Sequence, residues 1–310
     1  MLKYTLKHLV SAFLVLLVII TITFILMHAI PGGPFTGEKD LPPAILKNIQ
    51  DRYRLNDPLW KQYTDYLTHL AHWDFGPSFK YQGRTVNDII GESFPVSFEL
   101  GMISIAISVI IGIPAGVVAA LRQNKWQDYA TMFFATIGVA VPNFVIAAVL
   151  IYFFAIKLEL FPAAMWGGPE YMVLPSLALA GMPTAFIARL TRSSMLEILG
   201  QDYIKTARSK GLPEYLVMYR HAVKNALIPV VTYIGPMAAA ILTGSFVVET
   251  MFAIPGLGRY YVTSIYNRDY TTILGVTIFY SILVVGLNLA VDLIYPLLDP
   301  RIKLDGKKEG

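Results

Sequence analysis

The chain has 310 residues, 55% of them hydrophobic and only 15% charged, against roughly one quarter charged in a soluble globular domain. Its formal charge is +4 and it contains no cysteine, which excludes disulfides, thiolate catalysis and cysteine-ligated zinc. The bases do not cluster beside aromatics in a soluble domain, so the positive charge does not point to nucleic acid.

Six apolar runs follow in chain order. Leu9 to Met27 gives 19 residues without an ionisable side chain, and Leu100 to Leu121 gives 22. Runs free of Asp, Glu, Lys and Arg then cover Tyr129 to Ile156 (28 residues), Tyr171 to Ala188 (18), Asn225 to Val248 (24) and Tyr270 to Val291 (22). Each approaches or exceeds the roughly 20 residues a helix needs to cross hydrocarbon. They are continuously apolar, whereas a barrel strand would alternate over about 10 residues. An all-α, polytopic membrane protein with six transmembrane helices is expected. The first run follows Lys3 and Lys7 as a signal peptide would, but it lacks a small-x-small cleavage site and reads as an anchor helix.

With the amino terminus inside, the inner segments hold 15 of the 25 Lys and Arg, including Arg301, Lys303, Lys307 and Lys308 of the tail. That asymmetry puts both termini on the cytoplasmic side. The sequence divides into residues 1–95, a first span with an extracytoplasmic helical segment; residues 96–299, a five-helix core; and a cytoplasmic tail, 300–310. In the outer segment Pro31-Gly32-Gly33-Pro34 marks a turn, and Pro42, Pro43 and Pro58 precede short amphipathic stretches such as Leu59 to Leu67.

Several spans contain Pro or Gly: Pro114, Pro142, Pro175, Pro183 and Gly235-Pro236 among them. Backbone groups freed in lipid need neighbouring helices, so these spans should pack as a bundle. Gly112, Gly116 and Ala120 recur every four residues, a small-residue face suited to close helix contact.

A catalytic or nucleotide site is not legible. Gly-x-x-x-x-Gly-Lys-Ser/Thr is absent, and the Gly motifs at Pro31 to Pro34 and Pro255 to Gly258 lack the strand and helix context of a phosphate loop. His69 and His72 read as surface or interfacial histidines and not as metal ligands. Glu99, Glu249 and Asp292 lie at or near span boundaries with no evident partner in their own helices, and are expected to cap or pair locally.

The link Arg189 to Lys224 is long and basic. Asp202 to Lys210 has an acid at its start and bases near its end, as a helix prefers. Pro213 and Glu214 suit the first turn of a second helix, with Gly211-Leu212-Pro213 as the turn between them. Leu216, Val217, Tyr219 and Arg220 would form an apolar face with a basic flank. By periodicity alone this reads equally well as a plain basic loop.

Lys205-Thr206-Ala207-Arg208-Ser209-Lys210-Gly211 followed by Arg220-His221-Ala222-Val223-Lys224-Asn225-Ala226-Leu227-Ile228-Pro229 resembles the "EAA" loop of binding-protein-dependent ABC importer permeases. More narrowly, it is similar to the B-type subunit of oligopeptide and dipeptide permeases. The likeness extends through Asp74-Phe75-Gly76 with Ser78, Phe94-Pro95-Val96-Ser97, Phe252 to Gly258, Asn267-Arg268-Asp269-Tyr270 and Asp299-Pro300-Arg301. Lys205 and Thr206 depart from the general motif's first two residues, so a contact made by its glutamate does not carry over.

The resemblance implies a type I ABC importer permease fold. It also implies a homologous second permease, two ATP-binding subunits that hold ATP and magnesium, an extracytoplasmic peptide-binding protein, and no cofactor or catalytic residue on this chain. Coupling to the ATP-binding subunit would fall to Ala207, Arg208, Lys210, Gly211, Leu212, Glu214, Leu216, Tyr219 and Arg220. In that reading Arg208, Lys210 and Arg220 pair with acids of the partner. Asn143, Thr243, Ser245 and Asn288 are candidates for the translocation path, because polar groups in spans tend to face the bundle interior. The same fold with dipeptide, nickel or glutathione cargo is an alternative. An intramembrane enzyme or ion-coupled carrier is another, and it lacks the ionisable residues it would need.

Overall fold

The computed structural model describes residues 2–29 and 56–298. Among them the chain is helical, with a single isolated β-bridge between Pro77 and Thr85. The expected turn at Pro31 to Pro34, the starts at Pro42 and Pro43 and the tail from Asp299 lie outside the described residues.

Helix α1, Leu2–Ala29, is apolar on all sides and leaves Phe13, Val18 and Ile25 exposed, as a helix in lipid does. It buries Ile20 and Phe24. Phe24 meets the rings of Tyr63 and Tyr66 at 5.2 and 6.3 Å, and Thr21 shares a hydrogen bond of 2.7 Å with the Tyr63 hydroxyl. Those tyrosines belong to α2, Leu59–Ala71, which starts directly after Pro58 as its sequence implied.

Helix α3, Val86–Leu121, is 36 residues long, about 54 Å at 1.5 Å per residue, and so outruns the hydrocarbon. A capping box between Thr85 and Asp88 starts it. It runs unbroken through Pro95 and Val96, so the division expected there is one of composition and not of backbone. Its Gly112 and Gly116 lie against α6, Pro169–Leu199: a β-carbon on Gly112 would stand 2.8 Å from Ile187, and one on Gly116 would stand 2.5 Å from the Ala188 carbonyl. The small-residue face is thus the seam of the two longest helices.

The third apolar run does not form one straight span. It breaks into α4, Trp126–Ala140, and α5, Asn143–Leu150, which continues as a π-helix over Ile151–Lys157; the second half is bent by 109° from the first. Pro142 lacks an N–H and drives Val141 to extended backbone, φ −92 and ψ 123, which ends the first half. The fourth run is longer than expected. Helix α6 continues past Ala188 to Leu199 and takes in Arg189 and Arg192, so the hinged link begins only after that. Arg192 is held there by Asp128 of α4, with Nε and Nη2 donating to the two carboxylate oxygens at 2.5 and 2.7 Å.

After α6 come α7, Asp202–Ser209, and α8, an irregular helix of three pieces, Glu214–Leu216, Val217–Val223 (π) and Lys224–Ala226. Then follow α9, Ile228–Gly244; α10, Phe246–Met251; α11, Leu257–Asn267; and α12, Tyr270–Leu298. Three apolar clusters stack along the bundle. Phe75, Val86, Leu257 and Ile278 close one end; Leu100, Leu179, Ile187, Val230 and Ile241 fill the middle; Ala120, Met195, Ile204, Val217 and Ala226 close the other.

Candidate functional site

The hinged segment sits at the end closed by Ala120 and Met195. Ile204 and Ala207, three apart on α7, are buried against Val217, Ala222 and Ala226 of α8. Two short helices therefore share one small core, and alanine at 207 lets them approach closely. Between them Gly211 has φ +77 with no heavy atom near its would-be β-carbon. Backbone conformation, and not crowding, is what requires glycine there.

Arg208 closes the turn. Its Nη2 and Nε donate to Glu214 Oε1 and Oε2 at 2.7 and 3.2 Å. That hydrogen-bonded guanidinium holds the Glu214 carboxyl below its ordinary range, and the carboxylate in turn raises Arg208. Arg208 thus has a carboxylate within this chain, six residues on, whatever acid of a partner it also meets.

Val217 faces inward and Leu216 is half-buried, whereas Tyr215 and Tyr219 are 72% and 79% exposed. Tyrosine at 219 thus does not belong to the inward apolar face with Val217. Lys210, Leu212 and Arg220 are exposed as well. Together with the tyrosines they form an aromatic and basic outer surface on an element running almost directly into α9. Tyr215, which sequence reasoning passed over, lies one turn from Tyr219, and an i, i+4 aromatic pair beside a proline start was the available signal.

At the other end two carboxylates are wholly buried. Glu249 accepts from Ser97 Oγ at 2.8 Å, Ser245 Oγ at 2.5 Å and the Arg259 backbone N–H at 3.0 Å. Ser97 Oγ also accepts from the Leu257 N–H at 2.9 Å. A β-carbon at Gly256 would lie 2.4 Å from Glu249 Oε2, and one at Gly258 would lie 2.7 Å from the Phe246 α-carbon. The run Phe252 to Gly258 is therefore a wrap around a carboxylate. Glu249 does pair locally, with a partner, Ser245, in its own turn that the sequence reading missed.

Asp269 accepts from Ser78 Oγ at 2.5 Å, Thr272 Oγ1 at 2.8 Å, Thr271 Oγ1 at 3.0 Å and the Phe79 N–H at 3.1 Å. Sequence stretches 191 residues apart meet in this knot. Glu99 is exposed, and the Asp292 side chain lies outside the described residues. His69 Nδ1 lies 3.0 Å from Asp74 Oδ2, and His72 Nδ1 lies 2.8 Å from the Thr68 carbonyl.

No hydrogen bond among the described residues joins the four path candidates. Ser245 is 1% exposed and committed to Glu249. Thr243 donates to the Ala239 carbonyl of its own helix at 2.8 Å. Asn143 is half-buried at the start of α5, beyond the break, and Asn288 is exposed on α12.

Comparison with known proteins agrees with this architecture. Residues 112–304 match the model of the binding-protein-dependent transport system inner membrane component, and residues 1–101 match the N-terminal model of the same kind of membrane component. The dipeptide transport system permease protein DppB of Bacillus subtilis is 52% identical over 99% of this chain and all of that protein. The oligopeptide transport system permease protein OppB of Salmonella typhimurium is 48% identical over 98% of this chain and all of its own length. Among solved structures, the inward-facing MetNI methionine ABC transporter is similar with a TM-score of 0.56 at 19% identity, covering 68% of this chain and 96% of that one. A resemblance at that identity is one of fold, and it accords with the type I importer permease architecture. The chain belongs to the family of binding-protein-dependent transport system inner membrane components, as a multi-pass permease subunit.

Proposed function

We propose that this chain forms half of the translocation pathway of an ATP-driven peptide importer. Its partners are a homologous second permease, two ATP-binding subunits and an extracytoplasmic peptide-binding protein. The hinged segment α7–α8 is the handle the ATP-binding subunits grip. The observation that carries this reading is the exposed pair Tyr215 and Tyr219, flanked by Lys210 and Arg220, on an element packed beneath the bundle and leading straight into α9. A rigid lever of this kind turns closure of soluble subunits into rocking of the spans it joins. The excess of basic residues in this link, in the link Arg122 to Asp128 and near both termini supports a cytoplasmic side for this end and for the termini. ATP and magnesium are held by the partner subunits, and this chain performs no covalent chemistry.

Oligopeptides are the proposed cargo. The dipeptide permease at 52% identity supports shorter peptides as a second reading. Uptake of a labelled dipeptide and, separately, of a labelled tetrapeptide by vesicles carrying the assembled transporter separates the two. Uptake of the tetrapeptide supports the first. Uptake of the dipeptide alone supports the second, and uptake of neither overturns both.

A further inference from the structure

An apolar groove of about 440 Å³ opens between α3, α4 and α6, walled by Ile111, Ala115, Trp126, Phe134, Gly181 and Ala188. Its size falls within the roughly 300–1,000 Å³ of small-molecule sites. It runs from Trp126 to Phe134 along α4, about 12 Å by helix rise, close to the depth of one leaflet's hydrocarbon, about 15 Å. Trp126 and Phe134 are 73% and 69% exposed beside it. The tryptophan stands at the end of its span, where aromatic residues mark the membrane–water boundary.

One further observation points to the occupant. The turn that precedes Trp126 carries Arg122 and Lys125, both exposed, and among the described residues no ion pair engages either one. Asp128, three residues past Lys125, is taken by Nε and Nη2 of Arg192. Arg189, one residue past the groove wall at Ala188, is also exposed. An apolar helix laid in this groove would leave these cations without a counter-charge. A lipid with a negative phosphate supplies one while its chain fills the channel.

We propose that the groove is a binding site for one anionic glycerophospholipid of the phosphatidylglycerol type. An acyl chain lies along Ala115, Ala130 and Phe134, and the phosphate lies at Arg122 and Lys125. The site is distinct from the hinged segment and does not depend on the cargo.

Native mass spectrometry of the assembled transporter, titrated with phosphatidylglycerol or phosphatidylcholine, tests the site. The expected result is one retained phosphatidylglycerol per copy of this chain and weaker retention of phosphatidylcholine. Lys125→Gln should weaken phosphatidylglycerol retention by about fivefold, the effect of one cation near a headgroup. Ala130→Phe should abolish it by filling the groove. Equal retention of the two lipids, or unchanged retention in the variants, overturns the proposal. If Ala130→Phe fails to assemble, the surface variant Lys125→Gln decides alone. Because the chain has no cysteine, Ala130→Cys adds a unique thiol, and its crosslinking to the second permease would assign the groove to a protein neighbour and overturn the lipid reading.

Discussion

Gly211 and Glu214 set the geometry of the hinge one residue at a time. A side chain at φ +77 costs roughly 1–2 kcal/mol in the left-handed region, enough to shift the turn while the surrounding core remains. Gly211→Val should therefore leave the protein in the membrane and the transporter assembled, while uptake per ATP hydrolysed falls; unchanged coupling would remove the hinge role. Glu214 titrates below its ordinary value because Arg208 hydrogen-bonds it. A carboxylate lowered in the folded state stabilises above its unfolded pKa, and that contribution is lost as pH falls through the lower, folded value. The clasp across the turn should thus be intact near neutrality and release on acidification below the ordinary carboxylate range. Arg208→Gln should move the Glu214 midpoint upward, read by NMR of labelled glutamate, and an unmoved midpoint would show that the contact is not formed.

At the scale of elements, unbroken apolar runs made the spans legible; for the inner link, propensity with Gly211 and Pro213 left a plain basic loop equally open, and the family resemblance decided for helix, turn and helix. What the sequence left open depends on tertiary geometry. The third run reads in sequence as one span with Pro142 inside it; Pro142 supplies the break at Val141, and the 109° between the halves depends on how they pack. With Tyr129→Cys and Phe153→Cys labelled in pairs, electron–electron distance measurement should give about 20 Å, where a straight helix would give about 36 Å. The partners of Glu249 were hidden because Ser97 lies 152 residues away and only Ser245 is local. The motifs that carried the family resemblance, Phe94 to Ser97 and Phe252 to Gly258, turn out to be halves of one carboxylate wrap. Their spacing in sequence gave no hint of it.

Across the whole molecule, buried charge ties helix to helix at separate depths. Asp128 on α4 and Arg192 on α6 form a two-pronged pair, with side chains 3% and 25% exposed. Removing one partner strands the other charge. Asp128→Asn should cost toward the lower end of roughly 3–5 kcal/mol, because Arg192 keeps some contact with solvent. A double replacement of Asp128 and Arg192 by apolar residues should cost less than the sum of the singles, measured by unfolding in mixed micelles. Additive losses would mean that the pair is not coupled in the folded protein.

The most direct test of the handle is a thiol at its outer face. Tyr219→Cys, the sole cysteine of the chain, carries a short photoactivatable crosslinker in the assembled transporter, alongside accessibility measured in intact cells. The expected result is an adduct with an ATP-binding subunit, with its yield changing on nucleotide addition, and protection from a membrane-impermeant maleimide outside the cell. Labelling from the outside, or adducts with lipid alone in every nucleotide state, would contradict the mechanical role of this segment.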